Sequence, residues 1–277
     1  MEFAPTKATA VAADTLAKAQ RGDRQALETV LAQVAPSVHR FARRMCRNES
    51  DADDVLQDTL VSVATNLPTF QERSSLTSWV FTLARTACSR RHRGLESKAL
   101  REAAGDEVLG SRADDAKTPE AQVADEELSA ALGRALAALP ADHREVIHLR
   151  DIEGLSAPEA ASALGISVDA LKSRLHRARE ALRNTLRPLL EPVHTQVAGG
   201  CPDIIAMWSQ KLDGDLSAQD CSAMEKHIAT CAECNSACGA LKRALLVCQQ
   251  TRNETVPAEV QARVKAAVRA WAANTLV

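Results

Sequence analysis

Tyrosine is absent from this 277-residue chain, which carries only four phenylalanines and three tryptophans. Long β-branched runs are missing as well, while Ala and Leu dominate, so the composition points to helices rather than sheets. No apolar run approaches the roughly 18 residues that a membrane-spanning helix needs. The N-terminal stretch MEFAPTKATAVAADTLAKA lacks the apolar core of a secretory signal. These absences predict a cytoplasmic protein with no membrane partner, whose thiols are reduced and whose disulfides are disfavoured. No internal repeat of about 20–50 residues is evident. No H-E-x-x-H motif occurs, and no carboxylate pair lies beside the cysteines, which argues against a metalloenzyme. A formal net charge of −2 names no partner by itself.

What the chain does hold is an uneven set of eight cysteines. Cys46 and Cys88 stand alone in apolar helical patterns and read as small buried hydrophobes. The other six, Cys201, Cys221, Cys231, Cys234, Cys238 and Cys248, fall in the last 77 residues. Clustered cysteines in a reducing compartment point to metal.

Composition divides the chain into four parts: a helical block over 14–93, a polar linker over 94–127, a second helical block over 128–190, and the cysteine-rich block over 201–277. The linker holds ten acidic and four basic residues, a net of about −6. It has too little apolar surface to offset the entropy of ordering.

In the first block Ser50 is expected to cap a helix with acids in its first turn. Val55, Leu56, Leu60, Val63 and Leu67 keep helical spacing, and Pro68 ends the run. A second helix is expected from Ser75, with an apolar stripe containing Trp79 and a cationic end at Arg85, Arg90 and Arg91. Cations favour a helix C-terminus in any case; the sharper reading is an edge that contacts phosphates.

The second block carries the strongest local pattern. Ser156 and Glu159 have capping-box spacing, Gly165-Ile166-Ser167 makes a tight turn, and Ser167 is placed to cap the following helix. Leu171, Leu175, Ala178 and Leu182 mark its packing face. Cations crowd the rest. Turn, caps and charge together read as a helix-turn-helix whose second helix fits a major groove. Ser167, Lys172, Ser173, Arg174, His176, Arg177 and Arg179 are the candidate DNA contacts, with Arg73, Arg85, Arg90 and Arg91 in the first block.

These two blocks resemble region 2 and region 4 of extracytoplasmic-function (ECF) RNA polymerase sigma factors, in the right order and joined by an acidic linker. The resemblance implies an all-α protein, not an enzyme, whose partners are promoter DNA and the RNA polymerase core. Region 2 would dock on the β′ clamp helices, partly through Asp51, Asp53, Asp54 and Asp58, and would read the −10 element, with the loop Gln71–Ser75 holding a flipped base. Region 4 would bind the −35 element and pack on the β flap. The linker would thread toward the polymerase active-site and RNA-exit channel. Thr86 and Arg90 depart from the family, which usually has Asn and Asp there.

In the last block the spacing Cys201-x25-His227-x3-Cys231-x2-Cys234 makes a complete Cys3His set for zinc or another thiophilic metal such as Cd or Cu. This pattern resembles the zinc-binding domain of anti-sigma factors. Fused behind a sigma factor, it resembles the CorE-like members, in which such a domain replaces a separate anti-sigma factor and senses metal directly. Cys221 and Cys238 are surplus thiols expected to add ligands for sensing. In the competing reading the zinc is permanent and the domain is a docking surface for a partner protein. The amphipathic C-terminal segment, with Val260, Val264, Val268 and Trp271 on one face, packs either on the sigma modules or on the metal domain.

Overall fold

The computed structural model describes residues 11–46, 48–99, 130–190, 201–250 and 256–275, and every regular element among them is helical. The fold class is all-α, as expected. Most of the acidic linker, and the segment 191–200, lie outside the described residues.

The elements are α1 (Ala13–Gln20), α2 (Arg24–Met45), α3 (Glu49–Asn66), α4 (Leu76–Ala99), α5 (130–138) and α6 (Ala141–Ile147). A π-turn over His148–Ile152 leads toward α7 (Ala157–Leu164) and α8 (Val168–Leu190). The cysteine-rich block forms α9 (Ile204–Asp213), α10 (Ala218–Thr230) and α11 (Ala232–Gln250), and the chain closes with α12 (Ala258–Thr275). These helices fall into two compact units. One is built from α1–α4, α7 and α12, the other from α5, α6, the π-turn and α8–α11.

In the first unit, Val55, Leu56, Leu60 and Val63 of α3 are buried, together with Val80, Phe81 and Ala84 of α4. Phe41 meets Phe81 edge to face, with centroids 5.5 Å apart. The cap of α3 is Asn48 rather than Ser50: the Asn48 Oδ1 accepts from the Asp51 N–H at 2.8 Å, which sets the first turn earlier. Phe70 and Trp79 pack on each other, 4.8 Å between centroids, against a small core of Ala19, Ala26, Val30 and Leu67.

Helix α7 is tied to this unit by polar contacts along α4. Ser78 Oγ donates to the Glu159 carbonyl at 3.0 Å, Thr82 Oγ1 to that of Ala163 at 3.4 Å, and Arg85 Nη1 to that of Leu164 at 3.2 Å. The last two carbonyls belong to the C-terminal turn of α7, which has no intrahelical donors. Just before α7, the buried Glu153 carboxylate takes both Nε and Nη2 of Arg40, at 2.9 and 3.0 Å. Both side chains are almost wholly excluded from water. Removing one partner of such a pair strands the other charge, at a cost of about 3–5 kcal/mol. Arg40→Ala is therefore expected to lower stability by that amount in urea titration, whereas the double change Arg40→Met, Glu153→Leu should recover most of it.

The C-terminal helix α12 packs on α3, burying Val260 and Val268, with Val264 half-buried. Of the two placements open in the sequence, the structure selects the sigma-module side. The Trp271 side chain lies outside the described ones.

In the second unit, Leu171, Leu175, Ala178, Leu182 and Leu186 of α8 are buried. Helix α8 packs on α6, α9 and α11. Cys248 is fully buried on α11, as a small hydrophobe would be.

Candidate metal centre and nucleic-acid interface

Three short-range signals converge four ligands. Asp203 caps α9, its side chain accepting from the Ala206 N–H, which places Cys201 just before the helix start. Ser217 caps α10 in the same way through the Asp220 N–H, and α10 then runs to Thr230, with His227 in its last turn. Cys231 breaks the helix as an extended C-cap, its N–H still bonded to the His227 carbonyl, and Cys234 follows in the first turn of α11.

The donor atoms of Cys201, His227, Cys231 and Cys234 all lie within 4.8 Å of one another. The Cys201 and Cys231 sulfurs are 3.9 Å apart, and His227 Nε2 is 3.3 Å from the Cys234 sulfur. Ligands tetrahedrally arranged at Zn–S of about 2.3 Å and Zn–N of about 2.0–2.1 Å would stand roughly 3.5–3.8 Å from each other. The residues therefore fit zinc or a similar thiophilic ion. Burial and the neighbouring Cys231 and Cys201 thiols push the Cys234 thiol up to about 12, while the Cys234 backbone N–H lowers that of Cys231. A metal would replace this proton-bearing arrangement with shared thiolates. The apolar core here is small: among the described residues its buried members are Ile204, Met224, Cys234 and Cys238. A core of that size leaves a need for a staple.

Cys221 and Cys238 do not join the group. Cys238 is buried in the apolar core, and that burial pushes its thiol up to about 11 against the pull of Arg183. The Cys221 thiol faces Glu225 Oε1 at 3.6 Å. The four-ligand set closes without either, because α10 and α11 carry both thiols away from the junction at Cys231.

The helix-turn-helix signals are realised locally. Ser156 and Glu159 form the reciprocal capping box, and Gly165 is left-handed at φ 67°, its N–H and that of Ile166 returning to carbonyls of α7. Ser167 directly precedes α8. Along α8, Ser173, His176 and Arg177 accompany the cations expected to reach DNA. Arg177 is exposed, its Nε returning to the Ser173 carbonyl.

Three of the expected DNA contacts on α8 are engaged inside the protein. Arg179 is 1 % exposed. It meets Asp151 at 2.6 and 3.0 Å, the Ser209 hydroxyl at 2.5 Å and Asp213 at 3.5 Å. Burial works against its charge, but the two aspartates outweigh that and hold its pKa above the ordinary value. Asp213 also accepts from Arg150 at 2.5 Å. Lys172 pairs with Asp215 at 2.6 Å, and Arg174 with Asp142 at 3.4 Å. The acids Asp213 and Asp215 belong to the LDGDLS stretch of the cysteine-rich block, turned back at Gly214, φ 77°. The complementary charge of that stretch and of α8 was visible in the sequence; nothing there assigned them to each other.

Three of the four expected polymerase-docking acids are likewise occupied. Arg91, itself read as a phosphate contact, bonds Asp51 at 2.7 Å and also Asp54. Asp53 bonds Arg263 of α12 and lies 3.9 Å from His39. Asp58 is exposed, as are Arg73 and Arg90. Arg85 caps α7 instead of standing free. Glu72, beside Arg73, is left-handed at φ 53°, a strained setting for a side chain and a mark of a specialised loop.

Comparison with known proteins decides what these modules are. Residues 30–97 match the family model for sigma-70 region 2, residues 129–182 that for sigma-70 region 4, and residues 201–235 that for a zinc-finger. The ECF RNA polymerase sigma factor EcfG of Rhodopseudomonas palustris is 36% identical over 158 residues, which cover 56% of this chain and 81% of that protein. The chain belongs to the ECF RNA polymerase sigma factors. The sigma factor CnrH of Cupriavidus metallidurans is 34% identical over 170 residues, covering 60% of this chain and 89% of CnrH. Among solved structures, that of CnrH with the cytosolic domain of CnrY aligns at a TM-score of 0.46 and 27% identity, over 63% of this chain and 96% of that one. The sigma factor RpoE in complex with the anti-sigma factor NepR from Bartonella quintana aligns at 0.48 and 28%, over 58% and 96%. This ECF sigma factor is a transcription-initiation protein that binds RNA polymerase core and promoter DNA. Among its described residues no helix is long and apolar enough to cross a membrane.

Proposed function

We propose that this ECF sigma factor directs RNA polymerase to the promoters of metal-stress genes and that its own cysteine-rich domain controls it, through a thiophilic metal held by Cys201, His227, Cys231 and Cys234. The observation that carries the reading is the burial of Arg179. A side chain of the reading helix is sequestered by Ser209 and Asp213, both on α9. That helix starts three residues after Cys201. The ligand end of α9 and its Arg-gripping end are thus joined by one short rigid element.

In this reading Asp213 and Asp215 stand where DNA phosphates would draw Arg179 and Lys172, so α9 and the −35 element compete for one face. Helix α12 acts in parallel on region 2, where Arg263 occupies Asp53 and polymerase would have to displace it. A bound metal would link Cys201, His227, Cys231 and Cys234 to one another. Its loss or exchange would loosen the start of α9 and shift the balance between masked and free α8.

A second reading draws on the closure of the ligand set. Four ligands with no open position describe a structural site, and Cys221 and Cys238 lie apart from it. The zinc would then be permanent, and a protein docking on the domain would free α8.

The two readings part in a reconstituted transcription assay with core polymerase. Sigma factor loaded with Zn, Cd or Cu, or stripped of metal, is expected to differ severalfold in promoter-dependent transcript. Equal activity in all four states would remove metal control and leave the docking reading.

A further inference from the structure

Cys46 and Cys88 were read from the sequence as unrelated buried hydrophobes. Their sulfurs are instead 3.9 Å apart. Cys46 is the C-cap of α2, its N–H bonded to the Ala42 carbonyl at 2.8 Å, while its own backbone is already extended toward α3. Cys88 comes from α4. One turn further along α4, His92 Nε2 lies 3.0 Å from the Met45 carbonyl, and since a carbonyl only accepts, the ring nitrogen donates. This bond clamps the end of α2 to α4 beside the two thiols.

A second thiol pair in the chain, Cys201 and Cys231, has the same 3.9 Å separation. That pair has a third and a fourth ligand beside it. Among the described residues no His, Cys, Asp or Glu completes a comparable group around Cys46 and Cys88. The setting is that of a dithiol rather than a metal centre. Neither residue is in a disulfide. Sulfurs 3.9 Å apart must close by about 1.9 Å to reach the bonding distance of about 2.05 Å. With exposures of 8% and 5%, the pair suits a small oxidant rather than a bulky one.

We propose that Cys46 and Cys88 form an oxidisable dithiol in region 2 that closes to a disulfide under a two-electron oxidant of the peroxide class. One thiolate attacks the peroxide: an S–O bond forms, the O–O bond breaks and the departing oxygen takes a proton to become water. The second thiolate then attacks the sulfenic sulfur, forming S–S and releasing the second oxygen as water. Two thiols are oxidised and one hydrogen peroxide is reduced to two waters. The product bonds the corner between α2 and α3 to α4, the corner from which the acidic first turn of α3 emerges. This route is independent of the metal centre.

The test uses the full-length, zinc-loaded protein treated with hydrogen peroxide, then unfolded, alkylated and mapped by mass spectrometry. The expected product is a linked peptide pair containing Cys46 and Cys88, two hydrogens lighter than the sum and released by dithiothreitol. Cys46→Ala should abolish the pair and leave Cys88 open to alkylation. The wild-type map alone is sufficient if that variant does not fold. Recovery of both residues as alkylated thiols, at a peroxide dose that oxidises the half-buried Cys221, would overturn the proposal. Pairing of either residue only with other cysteines would do the same.

Discussion

Asp213→Ala is expected to raise transcription from a promoter with both −35 and −10 elements by roughly ten- to a hundredfold over the wild type. Asp213 is 4% exposed at its side chain and receives both Arg150 and Arg179. Orphaning a buried charge completely costs about 3–5 kcal/mol. Arg179 keeps Asp151 when Asp213 is removed, so the loss of grip is smaller, about the 1.5–3 kcal/mol of a hydrogen bond between charged groups. Each 1.4 kcal/mol is about tenfold in the ratio of masked to free α8. Asp215→Ala provides the contrast, because its pair with Lys172 is open to solvent and screened; its effect should be clearly the lesser. Gel-shift titration with −35 duplex DNA should show the same order. An Asp213→Ala protein that keeps its helical circular dichroism yet binds and transcribes like the wild type would refute masking by α9.

Cys234→Ser is expected to have the other large effect, on metal content first and on structure second. The purified wild type should carry about one thiophilic ion per chain by elemental analysis, and the variant close to none. Structural zinc in small finger domains is worth about 10–16 kcal/mol, more than a core of Ile204, Met224 and two cysteines supplies. The variant should therefore lose helical signal from α9–α11 and show a separate, low-temperature unfolding step. Chelation of the wild type should reproduce both changes, and added zinc should reverse them. Under the proposed control both treatments also free α8. A metal-free variant with unchanged melting would show that the site does not staple the domain, and a purified wild type without metal would show that the four residues hold none.

Much of the fold was legible because its signals are local. The capping box at Ser156 and Glu159, the left-handed Gly165 and the apolar stripe of α8 each depend on residues a turn apart. The Cys3His set was also legible, since His227, Cys231 and Cys234 lie within eight residues along the chain and their geometry follows from one helix ending and another beginning. Cys201 was the distant member, and it too was placed by its position at the head of a helix.

The functional surfaces were less legible. Arg179 looks like any other cation of an Arg-rich helix; only its neighbours make it a buried one. Asp51, Asp53 and Asp54 read as a free acidic face, yet Arg91 and Arg263 come to them across 37 or more positions. Cys238 read as a spare ligand because it follows Cys234 by one turn, but the helix turns that face into the apolar core. Cys46 and Cys88, 42 positions apart, gave no sign of each other.

By itself the sequence determined the helical class, the sigma modules, the helix-turn-helix and the Cys3His grouping. Each rests on backbone hydrogen bonding, side-chain periodicity or ligand spacing within a short stretch of chain. Only the tertiary structure decided which charges are spent on one another: Arg179 on Asp151 and Asp213, Arg40 on Glu153, Asp53 on Arg263. An ion pair needs only complementary sign and a few ångströms of approach, and many partners along the chain satisfy the first condition. Packing selects the one that satisfies the second.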